Sequence, residues 1–167
     1  MNILAFDTST EKFSISILKN NKVVLNLSKI LNKTYSKFLI PLLKDSLEQS
    51  RLDIKKINSI LISLGPGSFT GIRIGIAAAK GLGMTHKINI SGYNNMDILV
   101  NSIDSGIKGK KVVAIIKSKK NNYYFQLFDS KKKPIKKISF FSLNDLPNFF
   151  FKKNIVFCGN LDNELIK

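Results

Sequence analysis

The chain has 167 residues, 44% hydrophobic and 23% charged, with one Cys, one His and a formal net charge of +16. That is enough to bury a core without disulfides, and it excludes a disordered chain, a disulfide scaffold and a His/Cys metal cage. No apolar run approaches the ~20 residues that span a bilayer, and Met1-Asn2-Ile3-Leu4-Ala5-Phe6-Asp7 lacks the basic start of a signal peptide, so a cytoplasmic protein is expected.

Ile3–Asp7 reads as a short buried strand. Phe13, Ile15 and Ile17, alternating with Ser14, Ser16 and Leu18, read as a second. Asn20-Asn21 is a turn into a third strand, Val23–Leu27. Tyr35, Phe38, Leu39, Leu42, Leu43 and Leu47 recur at spacings of three and four, which predicts a helix over Tyr35–Ser50 with a kink at Pro41. A strand over Ser59–Leu64 ends at Gly65-Pro66-Gly67. A helix from Thr70 to Met84, a strand over Ile88–Ser91 and a helix over Asn95–Ser102 follow. Ser105–Lys110 is rich in Gly and Lys and reads as a linker. Beyond it, strands are expected at Val112–Ile116, Tyr123–Phe128 and Ile135–Phe141. Ser142-Leu143-Asn144-Asp145 has the form of a loose capping box and predicts a short helix to Phe150. Ile155–Cys158 is the last strand, with a final helix only begun by Leu161–Lys167.

The order strand-strand-strand-helix-strand-helix thus runs through residues 1–104 and again, incompletely, through 111–167, joined by the linker at 105–110. Duplicated βββαβα lobes describe the actin-like ATPase, ribonuclease H-like α/β fold, in which a ligand cleft lies between the lobes.

Two motifs stand at strand ends. Asp7-Thr8-Ser9-Thr10 offers a carboxylate and three hydroxyls in a tight turn, residue types that suit phosphate oxygens or a hydrated Mg²⁺. The alternative is a turn whose hydroxyls satisfy their own backbone. Gly65-Pro66-Gly67-Ser68-Phe69-Thr70-Gly71-Ile72-Arg73-Ile74-Gly75 joins a strand to a helix. It is neither a P-loop, since Ile72-Arg73 stand where Lys-Ser/Thr is required, nor a dinucleotide fingerprint, since Thr70 takes the third glycine position. It suits an anion at a helix N-terminus, or close packing through the small-residue stripe Gly71, Gly75, Ala78 and Ala79, and packing is the preferred reading. His86 follows a helix end without an acid or nucleophile nearby, and Cys158 reads as a small core residue.

The basic charge is 25 Lys against two Arg, Arg51 and Arg73, in a chain with 23 Ile and 17 Asn. An AT-rich genome imposes that excess on any protein, and nucleic-acid sites draw on Arg for bidentate contacts, so drift is the preferred account over selection for an anionic partner. Residues 101–167 are the denser part, at +9 against +7 for residues 1–100. Tyr123, Tyr124 and Phe125 beside Lys117, Lys119 and Lys120 form either a stacking surface for single-stranded RNA or a hairpin with one aromatic face in the core; the hairpin is preferred.

Taken together, Ile3-Leu4-Ala5-Phe6-Asp7-Thr8-Ser9-Thr10-Glu11 and the glycine-rich loop through Gly75 resemble the TsaB family, dimerisation subunits of the bacterial tRNA threonylcarbamoyladenosine machinery and glycoprotease-like in sequence. The likeness is good over residues 2–100, including Leu39-Ile40-Pro41-Leu42 and Ala79-Lys80-Gly81-Leu82, and loose over 111–160. It implies an actin-like fold, no catalysis by the chain itself, and pairing with a TsaD-like catalytic subunit that moves a threonylcarbamoyl group onto tRNA. A TsaE-like ATPase completes the cycle, and tRNA is met indirectly through the complex. The catalytic relative binds metal through a His-x-x-x-His motif; here the corresponding stretch is Asn94-Asn95-Met96-Asp97-Ile98-Leu99. No metal and no resident cofactor are implied, beyond weak ATP or ADP with Mg²⁺ at Asp7, Thr8, Ser9 and Thr10. The resemblance puts the partner interface on the Tyr35 and Thr70 helices, with Phe38, Leu39, Leu42, Leu43, Gly71, Gly75, Ala78 and Ala79 as candidates, and leaves a homodimer open beside the pairing with the TsaD-like subunit.

Departures are Tyr35-Ser36 for the family's His-Ser pair, Lys117-Ser118-Lys119 for its Asp-Ala-Arg segment, and a shortened second lobe where a typical member runs on past residue 167. Two rivals stand beside this reading. A stand-alone phosphotransferase of the same fold needs a second phosphate loop, for which Asp104-Ser105-Gly106 and Cys158-Gly159-Asn160 are poor candidates. A basic RNA-binding protein needs its lysines gathered on one face.

Overall fold

The alternation of the first two apolar segments becomes an antiparallel meander in the computed structural model: β1 (Ile3–Asp7), β2 (Lys12–Lys19) and β3 (Lys22–Ile30). The structure describes residues 1–30, 35–103, 109–119, 121–151 and 153–160. The β2–β3 turn is made by Asn20 and Asn21, both left-handed, as a right-twisted hairpin requires of a two-residue loop. Helix α1 (Tyr35–Gln49) continues through Pro41, which lies exposed on its outer side. Strand β4 (Ser59–Ser63) then pairs parallel to β1, helix α2 (Phe69–His86) follows, and β5 (Asn89–Tyr93) pairs parallel to β4. The sheet order is β3-β2-β1-β4-β5. Phe6 stands opposite Ile15 on one side and Ile62 on the other, and this central row is buried with Leu4, Phe13, Ile17 and Ile60 against Leu39 and Leu43 of α1 and Ala79 of α2.

These elements form one compact unit, Met1–Tyr93; a second spans Asn94–Lys167. The second contains α3 (Asn95–Asn101), β6 (Lys111–Lys117), β7 (Asn122–Phe128), β8 (Ser139–Ser142) and β9 (Ile155–Gly159). Its sheet order is β8-β7-β6-β9, with β6 antiparallel to β7 and parallel to β9. Order and direction match β3-β2-β1-β4, so the duplicated α/β reading is realised strand for strand. Met96 and Val100 of α3 are buried against Val112, Ala114, Ile116 and Phe128. This helix, read from sequence as the end of the first lobe, therefore belongs to the core of the second unit.

Two expected elements are replaced. Residues 142–150 do not form a capped α-helix. Asp145 N–H bonds to the Ser142 carbonyl and Phe150 N–H to the Pro147 carbonyl, giving a turn and a 3-10 segment, Asn148–Phe151. Pro147 has no N–H for the bond that an α-helix started at Ser142 would need there. The strand expected over Ile135–Phe141 begins only at Ser139, because the preceding residues are taken up in a turn that meets β7 at an isolated bridge, Phe128 to Pro134, without continuing as a ladder. Most of the expected linker and the final helix over Leu161–Lys167 lie outside the described residues, as does Asp104-Ser105-Gly106. Among the described residues no helix is long and apolar enough to cross a membrane.

Candidate functional site

Two sequence-distant motifs meet at the start of α2. The Ser68 side chain caps the helix by accepting from Gly71 N–H at 3.2 Å, and the Ser68 N–H donates to the Ser9 carbonyl at 2.6 Å. The Thr8 hydroxyl donates to the Gly71 carbonyl at 2.7 Å, and Asp7 Oδ1 accepts from Ser9 N–H at 2.6 Å. A side chain at Gly67, Gly71 or Gly75 would run into Ser9 or Thr8, so the glycines are there to let helix and turn touch. The peptide Gly65-Pro66 is cis, and Gly65 takes a positive φ of 90°. The strand end beside this loop is closed by Leu64 N–H bonding to the Tyr93 carbonyl. Burial, reinforced by the charge of Asp7, pushes the Tyr93 phenol well above its ordinary range, so it stays protonated.

The candidates sort differently from the expectation. Thr8 and Ser9 are each 1% exposed and Thr10 bonds to the Lys12 carbonyl, so Thr8 and Ser9 turn into the fold instead of presenting a row of hydroxyls. Leu39, Leu43 and Ala79 are likewise buried in the chain's own core, and Gly71 and Gly75 are sealed against Thr8. In this fold those five residues are turned to the chain's own interior. Phe38 is exposed, while Leu42 and Ala78 are half-buried at the edge of the core.

The surface that is open on α2 is the opposite side. Gly71, Gly75, Ala79 and Gly83 point in, and the series offset by two, Phe69, Arg73, Ala77 and Gly81, points out. Phe69 is 73% exposed and the Arg73 guanidinium lies 5.2 Å from its ring centre. Phe69, Thr70, Arg73, Ile74 and Ala77 line a shallow groove of about 370 Å³. Nothing stands within 4 Å of where a Gly81 side chain would begin, and Met84 is fully outward. Phe69, Arg73, Ile74 and Ala77 were missed from sequence. The signal was there as two four-residue series on one helix, of which only the inner was weighed.

His86 closes α2 half-exposed, and among the described residues no three His, Cys, Asp or Glu side chains gather as a metal site would need. In the second unit, Tyr123 is fully buried and stacked on Phe141 at 5.3 Å, while Tyr124 lies on the other face against Phe140. The hairpin with one aromatic face in the core is what forms there. Cys158 packs at the edge of the α3-side core, and burial pushes its thiol up to about 11. Lys120 lies outside the described residues.

Comparison with known proteins agrees with this architecture. A family model described as TsaD, tRNA N6-adenosine threonylcarbamoyltransferase, matches residues 27–140. Among curated proteins, "tRNA threonylcarbamoyladenosine biosynthesis protein TsaB" of Buchnera aphidicola subsp. Schizaphis graminum is 33% identical over 74% of this chain and 58% of its own length. The protein of the same name from Escherichia coli K12 is 28% identical over 75% of this chain and 54% of its own. The chain therefore spans a little over half the length of these relatives. A solved structure of YeaZ from Pseudomonas aeruginosa shares the fold at a TM-score of 0.73 and 21% identity, covering 87% of this chain and 69% of that one. A second Pseudomonas aeruginosa structure, described as similar to peptidase YeaZ, reaches a TM-score of 0.77 at 20% identity, covering 93% and 74%. With the duplicated sheets and the joined Asp7 and Gly65 motifs, and in a chain similar to curated proteins named TsaB, the family model shows that the chain belongs to the tRNA N6-adenosine threonylcarbamoyltransferase (TsaD) family.

Proposed function

We propose that the chain is the non-catalytic scaffold subunit of a tRNA N6-threonylcarbamoyladenosine complex, pairing with a TsaD-like transferase through the outer faces of α1 and α2. The observation that carries this reading is the open side of α2. Phe69, Ile74 and Ala77 form an apolar face around Arg73 that narrows to the small residues Ala77 and Gly81, with Phe38 exposed on α1, in a chain whose curated relatives are named for this modification. A small-residue groove on one helix accepts the ridge of another, which is how helices pack at short distance. A TsaE-like ATPase joins the pair, tRNA is held by the complex, and the assembly works in the cytoplasm; a homodimer through the same face is what forms when the transferase is absent. The isolated imidazole of His86 and the inward hydroxyls of Thr8 and Ser9 support a chain without chemistry or a resident cofactor of its own.

The test is co-elution of the full chain with the TsaD-like protein of the same genome. Ala77→Asp and Phe69→Asp each place a charge in the groove at an exposed position and are expected to weaken the pair tenfold or more, about 1.4 kcal/mol, while the free chain melts nearly unchanged. Failure of the wild-type chain to pair, or modification of tRNA or turnover of ATP by the chain alone, overturns the reading.

A further inference from the structure

The turn between β7 and β8 holds Lys131, Lys132, Lys133, Lys136 and Lys137 within seven positions, and no acidic residue stands between Ser130 and Asn144. Like charges this close repel, and the arrangement that leaves them most freedom is a loose loop. The backbone is instead tied down at several points. Asp129 Oδ1 accepts from the N–H groups of Lys131 and Lys133, both at 2.8 Å, and Asp129 N–H donates to the Lys133 carbonyl at 2.9 Å. Lys132 takes a left-handed φ of 63°, and its ammonium donates to the Ile103 carbonyl at 2.6 Å. Ile135 N–H returns to the Leu127 carbonyl, and Gln126, buried within the sheet, donates from Nε2 to the Lys136 carbonyl at 3.0 Å. A buried amide is costly unless bonded, so Gln126 on β7 is a specific commitment to this turn.

The outcome is a fixed display of four exposed lysines, Lys131, Lys133, Lys136 and Lys137, followed in the chain by Phe140, which is 54% exposed and held edge-to-face on Tyr124 at 5.6 Å. Compositional drift accounts for many lysines on a solvated surface; it gives no reason for an acid and a buried amide to hold five of them in one turn. We propose that this turn binds the phosphate backbone of an RNA strand, with Phe140 as a platform for a base. Lysines without arginine suit phosphates read as charge, independent of sequence, and an anchored aromatic beside them suits an unpaired base. This contact belongs to the chain itself and stands or falls apart from its pairing with a transferase.

The test is fluorescence anisotropy of the full chain with a labelled single-stranded RNA of mixed sequence across a salt series. Four lysines on a single strand contribute a slope of roughly −3 to the logarithm of affinity against the logarithm of salt. Replacing Lys131, Lys133, Lys136 and Lys137 by Gln is expected to remove most of that slope and at least tenfold of affinity, with melting unchanged because all four are exposed. Phe140→Ala is expected to weaken binding several-fold and leave the slope alone. The control replaces Lys44, Lys55, Lys56 and Lys87, the same charge taken from the first unit, and is expected to change affinity far less. Equal losses in the two quadruple variants mean a general charge effect and overturn the proposal, as does a turn variant that binds RNA like the wild type. Retention of RNA but loss of binding to anionic vesicles by the turn variant also overturns it, in favour of a membrane surface.

Discussion

The two sheets share strand order and direction but are covered differently. In the first, the central strand β1 alternates, with Leu4 and Phe6 under the helices and Ile3, Ala5 and Asp7 only half-buried, and β2 repeats the pattern with Ser14 and Ser16 on the second face. In the second, Val112 through Ile116 of β6 are all buried. Met96 and Val100 of α3 close one face; on the other, Leu143, Leu146 and Phe150 pack against Val113, Ile115, Tyr123 and Phe141. Among the described residues one topology therefore supports a core on one face and a core on both, and the difference is written in the strands: alternation where one face is half-buried, a continuous apolar run where both are covered. The second sheet's second cover comes, among the described residues, from loop and 3-10 residues and not from an α-helix, with aromatic stacking such as Phe150 on Phe157 at 5.0 Å.

The largest expected effect comes from emptying the two-sided core. Tyr123→Ala removes a fully buried ring stacked on Phe141 and is expected to cost about 3–5 kcal/mol, read by thermal melting and by faster amide exchange in β6–β8. Ser16→Ala, on the half-buried face of the first sheet, is expected to change stability by less than about 0.5 kcal/mol. A cost near that of Tyr123→Ala would mean the first sheet is covered on both sides too.

In the first unit the sensitive point is the seam between α2 and the Thr8 turn. Gly71→Val places a branched side chain against the Thr8 backbone and is expected to cost about 3 kcal/mol. Gly81→Ala, in the same helix but in open space, is expected to gain about 0.5–1 kcal/mol from helix propensity. Opposite signs for two glycine substitutions on one helix separate packing from propensity, and equal signs would refute the seam. Ser68→Ala removes the cap and is expected to cost about 1 kcal/mol, measured by denaturant midpoint.

The narrowest effect, confined to alkaline pH, concerns Cys158 in the second unit. Burial raises its thiol from the ordinary 9.0 to about 11. Native protein at pH 8 should therefore alkylate on the order of a hundredfold more slowly than unfolded protein, since the thiolate is the reactive form. As pH rises from about 9 towards 11 the unfolded chain loses a proton that the folded chain keeps, so stability falls across that window and is unaffected below it. Cys158→Ala should flatten this dependence; an unchanged slope would show that another group carries it.

Much of the fold was legible because the strands carry their own contrast: Phe13-Ser14-Ile15-Ser16-Ile17 and Val112–Ile116 each state how many faces are buried. The succession of strands along the chain and the glycine loop were legible for the same reason, short apolar runs ending at strong turn signals. The inward face of α2 was not. That helix has small or apolar residues on both sides, so no polar stripe marks the solvent, and Phe69 and Ala77 looked no more exposed than Gly75 and Ala79. The helix expected at 142–150 failed on Pro147, whose missing donor outweighed the capping pattern before it. The Lys-rich turn was hidden because its order depends on Gln126 and Asp129, two polar residues whose roles appear only once β7 is paired.

The end strands of both sheets give those lysines another consequence. β3 is an outer strand, with exposed Val23, Val24 and Ile30 and backbone groups on one side that no strand of its own sheet takes up. An apolar edge of this kind is a template for a strand from a second molecule, and so for aggregation. Lys22 and Lys29 stand near its two ends, and Lys136 and Lys137 stand just before β8, the outer strand of the other sheet. Any chain that docks there in register must bring its own copies of those charges alongside. In a protein with this much isoleucine, charge at the margins of the sheets keeps separate molecules from joining edge to edge.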